Sequence, residues 1–332
     1  MRAYNKIRIG LVGAGYWGKN IARVLHELGV LSAISDQDDN ILAERKKEYP
    51  SIQITCNVKE LLSDKTIKAL AIATPAATHY ELSKEALMAG KDVFVEKPLA
   101  LKANDGENLV KLARKWNRIL MVGHLLHYHP AIVALKKLVT DNKLGKIQYI
   151  SSHRLNFGKL RKEENVLWSF APHDISIIIS ILGEPITQQS FGKSYINKGT
   201  PDITLSFLQF PNNTAAHVFV SWLHPVKEQR LCIIGEKGMA MFDDQAENKL
   251  LFYAHTISFD NQNTPCAVKA KAVPIKYLDE EPLSQEMAHF IDCIRTRQNP
   301  ITDGEEGLRV LRVLQASQHS IDNNKNTFEK II

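Results

Sequence analysis

Three glycines directly after a short apolar run constrain this chain more than any other feature. The run Ile7-Arg8-Ile9-Gly10-Leu11-Val12 leads into Gly13-Ala14-Gly15-Tyr16-Trp17-Gly18, and helix-forming residues begin at Lys19. A buried strand that turns through G-x-G-x-x-G into a helix typically binds the pyrophosphate of a dinucleotide. The first glycine permits the tight turn, the second admits phosphates close to the backbone, and the third lets helix and strand pack closely. The pattern therefore predicts a dinucleotide-binding turn at residues 13–18.

An acidic residue follows at the position where such a turn needs one. Asp36 ends the second apolar run, 30–35, about 20 residues after the glycines. There a carboxylate accepts hydrogen bonds from the adenosine ribose and repels a 2′-phosphate, so the sequence favours NAD over NADP. The alternative is an ordinary loop aspartate, because Asp38 and Asp39 follow closely. The residues expected here to contact NAD are Gly13, Gly15, Tyr16, Trp17, Gly18 and Asp36.

Length and composition describe an ordinary globular protein with more than one core. A chain of 332 residues is long for a single domain. Its 42 basic and 36 acidic residues are scattered, without the basic blocks and stacking aromatics of a nucleic-acid surface. The four cysteines are far apart, which argues against a disulfide framework or a zinc site, and no apolar stretch is long enough to span a membrane. With no basic-then-apolar leader, we expect a cytoplasmic protein that binds neither nucleic acid nor membrane.

Residues 1–123 alternate strand-like and helix-like runs, as parallel α/β units do. The strand-like runs are 7–12, 30–35, 69–73, 92–95 and 119–122, and the helix-like runs are 18–28, 39–48, 58–63, 79–89 and 105–116. We therefore predict an α/β protein that begins with an N-terminal Rossmann domain, a doubly wound parallel sheet.

The pattern changes in residues 124–332. One helix-like run, 131–140, precedes longer runs rich in β-forming residues, which are 146–155, 202–210, 215–223, 229–234 and 250–259. Short turns between these runs predict a C-terminal α+β domain with a large, open and mostly antiparallel sheet. Helix-like patterns return at 284–297 and 304–321, and we expect these helices to pack back on the first domain. A broad free face of the sheet favours a homodimer or homotetramer.

Two charged residues and a proline end the fourth predicted strand. Glu96-Lys97-Pro98 lies at the carboxyl edge of the sheet, where open α/β folds bind ligands. Together with the glycine turn it resembles the signature of the Gfo/Idh/MocA oxidoreductase family. Further matches extend the resemblance over nearly the whole chain: Ala73-Thr74-Pro75, Thr78-His79 and Thr302-Asp303-Gly304. The resemblance implies an NAD-binding Rossmann domain, followed by a domain with a large open sheet. It also implies cofactor contacts from Ala73, Thr74, Pro75, His79, Glu96 and Lys97.

By this resemblance, Lys97 reaches both the nicotinamide ribose and the reacting hydroxyl of the substrate. An ammonium group there stabilises the alkoxide that develops as the hydride leaves. Glu96 is expected to position the lysine or to contact the nicotinamide ring. The alternative for both residues is a solvated charge pair at the end of a strand.

A second candidate centre lies in Leu167-Trp168-Ser169-Phe170-Ala171-Pro172-His173-Asp174-Ile175, which we expect to open an apolar helix over 175–182. His173 aligns with the catalytic histidine of the family, and imidazole suits the removal of a hydroxyl proton near neutral pH. The alternative is a simple helix cap, with Asp174 favouring the helix N-terminus. The common family pattern has an aspartate four residues before this histidine. Residue 169 is a serine, so the usual charged partner of His173 is missing.

Further candidates for substrate contacts lie near these motifs. Residues 154–165 are rich in cations and amides that suit a diphosphate or a carboxylate, although a solvated loop is nearly as good an interpretation. His124, His127 and His129 lack the cysteine or acidic partners of a metal site, and the family places ligand-facing residues in this segment. No metal is therefore expected. The predicted substrate-binding residues are His124, Tyr128, Arg154, Asn156, Trp168 and His173.

Residues 16–20 and 164–169 resemble the branch of the family that acts on nucleotide-linked amino sugars, the UDP-N-acetylglucosamine 3-dehydrogenases. This implies NAD-dependent oxidation of the C3 hydroxyl of UDP-N-acetylglucosamine, or of its glucuronate form, to the 3-keto sugar. A pathway aminotransferase would then form a 3-amino sugar for lipid A or surface polysaccharide. The alternatives are reduction of a 3-keto sugar, oxidation of a free polyol such as inositol, and an NAD-binding protein without turnover.

Overall fold

The computed structural model describes residues 7–158, 160 and 164–323, which fall into two compact units. The first unit ends at Tyr128 and also takes in Glu280–Leu311, while the second covers His129–Asp279 and resumes at Arg312. The helices of the described residues are α1 (Gly18–Glu27), α2 (Asp39–Glu48), α3 (Val58–Ser63), α4 (His79–Met88), α5 (Ala103–Lys115), α6 (Pro130–Thr140), α7 (Val166–Leu182), α8 (Pro282–Thr296) and α9 (Gly304–Asn323). The strands are β1 (Ile9–Val12), β2 (Leu31–Ser35), β3 (Gln53–Thr55), β4 (Ala69–Ile72), β5 (Asp92–Glu96), β6 (Leu120–Gly123), β7 (Ile147–Phe157), β8 (Thr187–Lys193), β9 (Ile203–Phe210), β10 (Thr214–Ser221), β11 (Leu223–Gly235), β12 (Met239–Asp243), β13 (Leu250–Tyr253), β14 (Thr256–Phe259), β15 (Pro265–Val268) and β16 (Ala272–Pro274).

The first unit is built on a parallel sheet in the order β3-β2-β1-β4-β5-β6. Both faces of its centre are buried: Ile9 and Leu11 of β1 pack in one hydrophobic cluster with α1 and α8, and Val12 packs in another with α4 and α5. Near-continuous apolar strands are typical of a parallel sheet covered by helices on both sides. The predicted Rossmann domain is confirmed. Its strand order reverses between β1 and β4, the point at which such folds bind ligands.

The second unit is built on a sheet in the order β16-β13-β12-β11-β7-β10-β9-β8. Its described strand pairs are antiparallel except for β10 with β7. On the face that packs against α7, residues such as Ile150 and Ala216 are 0% exposed, whereas Leu205 and Phe207 on the other face are 41% and 38% exposed. The prediction of a large, open and mostly antiparallel sheet is confirmed. No described helix has both the length and the apolar character needed to cross a membrane.

The sequence patterns missed several strands at the edges of the sheets. β3, β8 and β16 are edge strands, and β8 reads TQQSFGK, with few apolar residues. An edge strand has fewer neighbours to bury against, so its hydrophobic pattern is weak. The predicted strand 250–259 is in fact two strands, β13 and β14, which belong to different sheets.

The helix that carries His173 begins earlier than predicted. α7 starts at Val166 rather than near 175, and Asn165 caps it by accepting hydrogen bonds from the N–H groups of Leu167 and Trp168. Pro172 lies inside the helix, where its missing N–H removes one hydrogen bond. The interpretation of residues 172–174 as a helix cap was therefore wrong, because the cap lies almost two turns earlier.

A partly buried ion pair joins the end of α8 to the start of β5. Arg297 adopts a left-handed backbone conformation, with φ 61°, and donates to the two carboxylate oxygens of Asp92 at 2.7 and 3.0 Å. It also donates to the carbonyl oxygen of Asn117 at 2.7 Å. The side chain of Asp92 is 3% exposed and that of Arg297 is 37% exposed. Removal of the cation would therefore leave a buried carboxylate.

We expect Arg297→Ala to lower the free energy of unfolding by about 2–3 kcal/mol, because Asp92 loses its cation. This is less than for a fully buried pair, since part of the guanidinium group is in water. Urea unfolding followed by circular dichroism measures the change. Arg295→Ala is the matched control, because the side chain of Arg295 is 63% exposed. Equal effects of the two substitutions would contradict the role of the pair.

Candidate active site

The glycine turn lies at the carboxyl end of β1 and meets the steric demands of a dinucleotide. Gly13 has a φ of +85°, and a Cβ there would lie 2.8 Å from the carbonyl oxygen of Ala73. A Cβ on Gly18 would lie 2.0 Å from the carbonyl oxygen of Gly13. On Gly15, by contrast, a Cβ would meet nothing nearer than Ile41, at 3.8 Å. A side chain on Gly15 would thus not clash with the protein, which agrees with the role expected of the second glycine, the close approach of a pyrophosphate to the backbone at the start of α1.

Asp36 stands beside this turn, directly after β2. One carboxylate oxygen accepts a hydrogen bond from the N–H of Ala14 at 2.7 Å, and the other accepts from the N–H of Asp38 at 3.1 Å. Asp38 itself caps α2 by accepting from the N–H of Asn40 at 2.8 Å, and Asp39 begins that helix. Of the three neighbouring carboxylates, Asp36 is therefore the one whose position suits a ribose at the glycine turn.

A hydrogen bond joins the glycine turn to the charged motif after β5. The indole Nε1 of Trp17 donates to Oε1 of Glu96 at 2.6 Å, and the backbone N–H of Lys97 donates to Oε2 at 3.2 Å. Gly123, opposite Glu96 on β6, leaves room for this carboxylate, since a Cβ there would lie 3.0 Å from it. Burial raises the pKa of Glu96, and the bond from Trp17 and the charge of Lys97 oppose the rise. Tyr16, which is 81% exposed, lies on the surface of the turn.

The loop after β4 is tied to the same motif through His79. Its Nε2 lies 2.9 Å from the carbonyl oxygen of Thr74, and its Nδ1 lies 2.7 Å from the carbonyl oxygen of Pro98. The hydroxyl of Thr78 donates to that of Thr74 at 2.7 Å, which closes the loop. His79 is 1% exposed, so it supports the loop from within the fold. The loop begins with the other two predicted cofactor contacts, Ala73 and Pro75.

His124 and Tyr128 follow β6 and lie inside the first unit, 1% and 6% exposed. Nδ1 of His124 lies 2.6 Å from Oε2 of Glu306, in the first turn of α9. The hydroxyl of Tyr128 lies 3.3 Å from that of Thr302, and burial strongly raises its pKa. Both residues therefore take part in buried contacts at the end of β6. Among residues 7–158, 160 and 164–323, no three His, Cys, Asp or Glu side chains are grouped to hold a metal ion.

Sequence reasoning missed a buried carboxyl group near this edge of the sheet. Glu286 of α8 is 0% exposed, and its carboxyl oxygens have no hydrogen-bond partner among the described residues. Burial and the charge of Glu96 raise the pKa of Glu286 well above its ordinary value, which favours the neutral form. A single glutamate in a helical pattern carries no signal of such a position, so the sequence offered no way to find it.

His173 lies in the second unit, half-buried on α7, and Ser169 lies one turn earlier on the same side of the helix. A buried hydroxyl thus occupies the position at which the family pattern has a carboxylate. Asp174 is engaged elsewhere, because its oxygens accept from Nε and Nη2 of Arg154 at 2.6 and 3.2 Å. The two side chains of this pair are 10% and 5% exposed. Arg154, predicted to hold a substrate anion, therefore has a buried counter-ion.

Gln318 of α9 holds the start of α7. Its side-chain oxygen accepts hydrogen bonds from Nδ2 of Asn165 at 2.7 Å and from Nε1 of Trp168 at 3.1 Å. The indole N–H of Trp168, a predicted substrate contact, is thus already used. Asn156 is half-buried near the end of β7, while residues 159 and 161–163 of the cationic segment lie outside the described residues.

Two family models match the chain. Residues 7–124 match an oxidoreductase family with an NAD-binding Rossmann fold, and residues 132–241 match the GFO/IDH/MocA C-terminal domain. The glycine turn and the carboxylate of Asp36 beside it fit this assignment. The first unit is therefore an NAD-binding Rossmann domain, and the cofactor is NAD.

Individual relatives match over most of their length. UDP-N-acetylglucosamine 3-dehydrogenase of Acidithiobacillus ferrooxidans is 25% identical over 92% of this chain and 94% of its own. Its solved structure has a TM-score of 0.82 at 23% identity, over 95% of this chain and 98% of that one. The NAD(+)-dependent scyllo-inositol 2-dehydrogenase of Bacillus subtilis is 25% identical over 80% of this chain and 78% of its own. A levoglucosan dehydrogenase solved with NADH and levoglucosan has a TM-score of 0.83 at 18% identity, over 96% and 98% of the two chains. The two structural matches show a shared fold.

Asp36→Ala should weaken NAD binding by about tenfold or more, because hydrogen bonds between a carboxylate and the ribose hydroxyls are lost. Isothermal titration calorimetry with NAD measures the dissociation constant. Asp39→Ala is the matched control, since Asp39 lies in the first turn of α2. An equal loss in both variants, or none in Asp36→Ala, would contradict the assignment of Asp36 to the ribose.

Proposed function

Because the chain belongs to the Gfo/Idh/MocA oxidoreductase family, we propose that it oxidises the C3 hydroxyl of a UDP-linked N-acetylamino sugar to a ketone. The two relatives described above, UDP-N-acetylglucosamine 3-dehydrogenase and scyllo-inositol 2-dehydrogenase, are dehydrogenases of CH–OH groups, and the chain is an NAD(P)-dependent oxidoreductase of this kind. The observation that carries the choice of sugar is the nearly full-length similarity to UDP-N-acetylglucosamine 3-dehydrogenase. The proposed substrate is UDP-N-acetylglucosamine or its glucuronate form.

In this reaction bound NAD supplies the acceptor for the hydride that leaves C3. His173 accepts the proton of the C3 hydroxyl at a ring nitrogen, since imidazole exchanges protons readily near neutral pH. The ammonium group of Lys97 stabilises the negative charge that develops on the C3 oxygen. Glu96 accepts hydrogen bonds from the indole N–H of Trp17 and from the backbone N–H of Lys97, and so it fixes the backbone position of Lys97.

Two other functions remain in competition with this one. Oxidation of a free polyol is favoured by the similarity to scyllo-inositol 2-dehydrogenase. NAD binding without turnover is favoured by Ser169, which supplies no charge to His173. Reduction of a 3-keto sugar is the reverse of the proposed reaction and uses the same groups.

The proposed product calls for a partner reaction. A 3-keto sugar is a substrate for an aminotransferase, which would yield a 3-amino sugar for lipid A or surface polysaccharide. The expected compartment is the cytoplasm, because the four cysteines, Cys56, Cys232, Cys266 and Cys293, are all free.

We expect the protein to reduce NAD in the presence of UDP-N-acetylglucosamine, and Lys97→Ala and His173→Ala each to lower kcat by about 10²–10⁴-fold. The assay follows the absorbance of reduced nicotinamide, with an aminotransferase and an amino donor present to remove the ketone. Lys102→Ala and His26→Ala are the matched controls, because both side chains are exposed, and they should keep the parent activity.

Other outcomes of this assay identify the competing functions. Reduction with inositol, but with neither UDP-sugar, would replace the proposed substrate with a free polyol. NAD binding without reduction by any of these substrates, and without oxidation of NADH by a 3-keto sugar, would identify a protein without turnover.

We also propose that the open face of the eight-stranded sheet joins copies of the chain as a homodimer or homotetramer. Leu205 and Phe207 are exposed on this face, beside Tyr149, whose ring centroid lies 6.4 Å from that of Phe207. Phe207→Asp should therefore shift the protein to a smaller assembly in light scattering coupled to size-exclusion chromatography. The matched control is Phe259→Asp on β14, 64% exposed outside this sheet. A monomeric parent protein would overturn this proposal.

A further inference from the structure

Both ring nitrogens of His79 face atoms that can only accept hydrogen bonds. Nδ1 lies 2.7 Å from the carbonyl oxygen of Pro98, and Nε2 lies 2.9 Å from the carbonyl oxygen of Thr74. A neutral imidazole carries one N–H, so it can donate to one carbonyl while it turns a lone pair toward the other. The doubly protonated ring donates to both. The geometry therefore matches an imidazolium ion.

The surroundings of His79 affect the relative stability of the neutral and the doubly protonated ring. The ring is 1% exposed, so water cannot easily replace a carbonyl that has lost its donor. Hydrogen bonds from a charged donor are stronger than neutral ones, and both carbonyl oxygens, at 2.7 and 2.9 Å, lie within hydrogen-bond distance of the ring. Burial and the N-terminus of α4 both oppose a cation at this position, and the two carbonyl acceptors favour it. The charged residues at the N-terminal ends of α4 and α5 and at the carboxyl end of β5 are Glu81, Glu96, Lys97, Lys102, Asp105 and Glu107.

The acceptors of His79 belong to two motifs that the sequence analysis treated as separate. Thr74 lies in the loop after β4, and Pro98 directly follows Lys97. A ring that donates to both carbonyls fixes the backbone on the carboxyl side of Lys97 to that loop. On the amino side, the N–H of Lys97 is already bound to Glu96 at 3.2 Å. The backbone of Lys97 is thus held on both sides.

We propose that His79 is an imidazolium ion at neutral pH and that it positions Lys97 by clamping the Pro98 carbonyl to the Thr74 loop. His79 is then a positioning residue, which acts through the backbone of Lys97 and not by contact with NAD or substrate. The catalytic consequence rests on the proposed function, whereas the charge of His79 does not.

His217 provides an internal reference for a neutral ring. Its Nδ1 lies 2.6 Å from the hydroxyl of Tyr149, and its Nε2 lies 3.3 Å from Nε2 of His153. A hydroxyl and an imidazole can each donate or accept, so neutral tautomers satisfy both contacts. Burial and the charge of His153 also lower the pKa of His217.

The test is ¹⁵N NMR of the uniformly labelled full chain without added ligand at about pH 8, well above the ordinary histidine pKa of about 6.5. Long-range correlations from the ring protons report whether each nitrogen carries a proton, and His79→Gln and His217→Gln assign the two rings. We expect two protonated nitrogens for His79 and one for His217. One unprotonated nitrogen in His79 would overturn the proposal. No substrate is involved, so this result stands whether or not the proposed function is correct.

A second measurement tests the positioning role. Glutamine cannot reach both carbonyls, so His79→Gln should lower kcat, and also NAD affinity, by about tenfold. Arginine offers several N–H donors in a fixed fork, and His79→Arg should recover part of that loss. His26→Gln, on the surface of α1, should change neither quantity. A His79→Gln variant with the parent thermal unfolding midpoint, kcat and NAD affinity would overturn the positioning role. If that variant does not fold, the NMR result on the parent protein still decides the charge state.

Discussion

The hydrogen bond between Trp17 and Glu96 is the interaction on which the arrangement of the predicted cofactor-binding motifs in the first unit depends. It starts in the turn after β1 and ends on the last residue of β5, so it passes across the end of β4, which lies between these strands. Glu96 can occupy that position because Gly123 opposite has no side chain. Two motifs about 80 residues apart in the chain thus form one structural element. A substitution that moves either motif is therefore expected to shift the other.

The parts of the fold that follow from local patterns were predictable from the sequence. The glycine turn, Asp36 and the alternation of strands and helices depend on residue spacing alone, and the structure confirms the parallel sheet that they predict. Pro172 misled the prediction of α7, because proline usually marks the start of a helix and is rarely tolerated inside one. The polar strand β8 carries too few apolar residues to be recognised.

The partners of the buried charged groups could not be predicted. Glu306 lies 182 residues from His124, and Arg297 lies 205 residues from Asp92. Neither residue carries a pattern that identifies its partner, because such pairs depend on how helices pack on the sheet. The same limit affects Arg154, whose position in a cation-rich segment suggested a contact with a substrate anion. Its bidentate pair with Asp174 already compensates that charge. Recognition of a diphosphate would therefore have to draw on other donors, such as Asn156, which lies on the same strand and was also predicted to contact the substrate.

The residues around His173 determine which groups can stabilise the charges that develop in the proposed reaction. An imidazole that takes a proton becomes a cation, and an adjacent carboxylate would stabilise it. Ser169 offers a neutral hydroxyl at the expected place, and Asp174 is bound through both oxygens to Arg154. Neither residue can supply an uncompensated negative charge to the ring. In the proposed reaction the ammonium group of Lys97 acts on the substrate oxygen, where it offsets the charge of the alkoxide. That step depends on the position of Lys97, and therefore also on the contacts that Glu96 and His79 make with the backbone of residues 97 and 98.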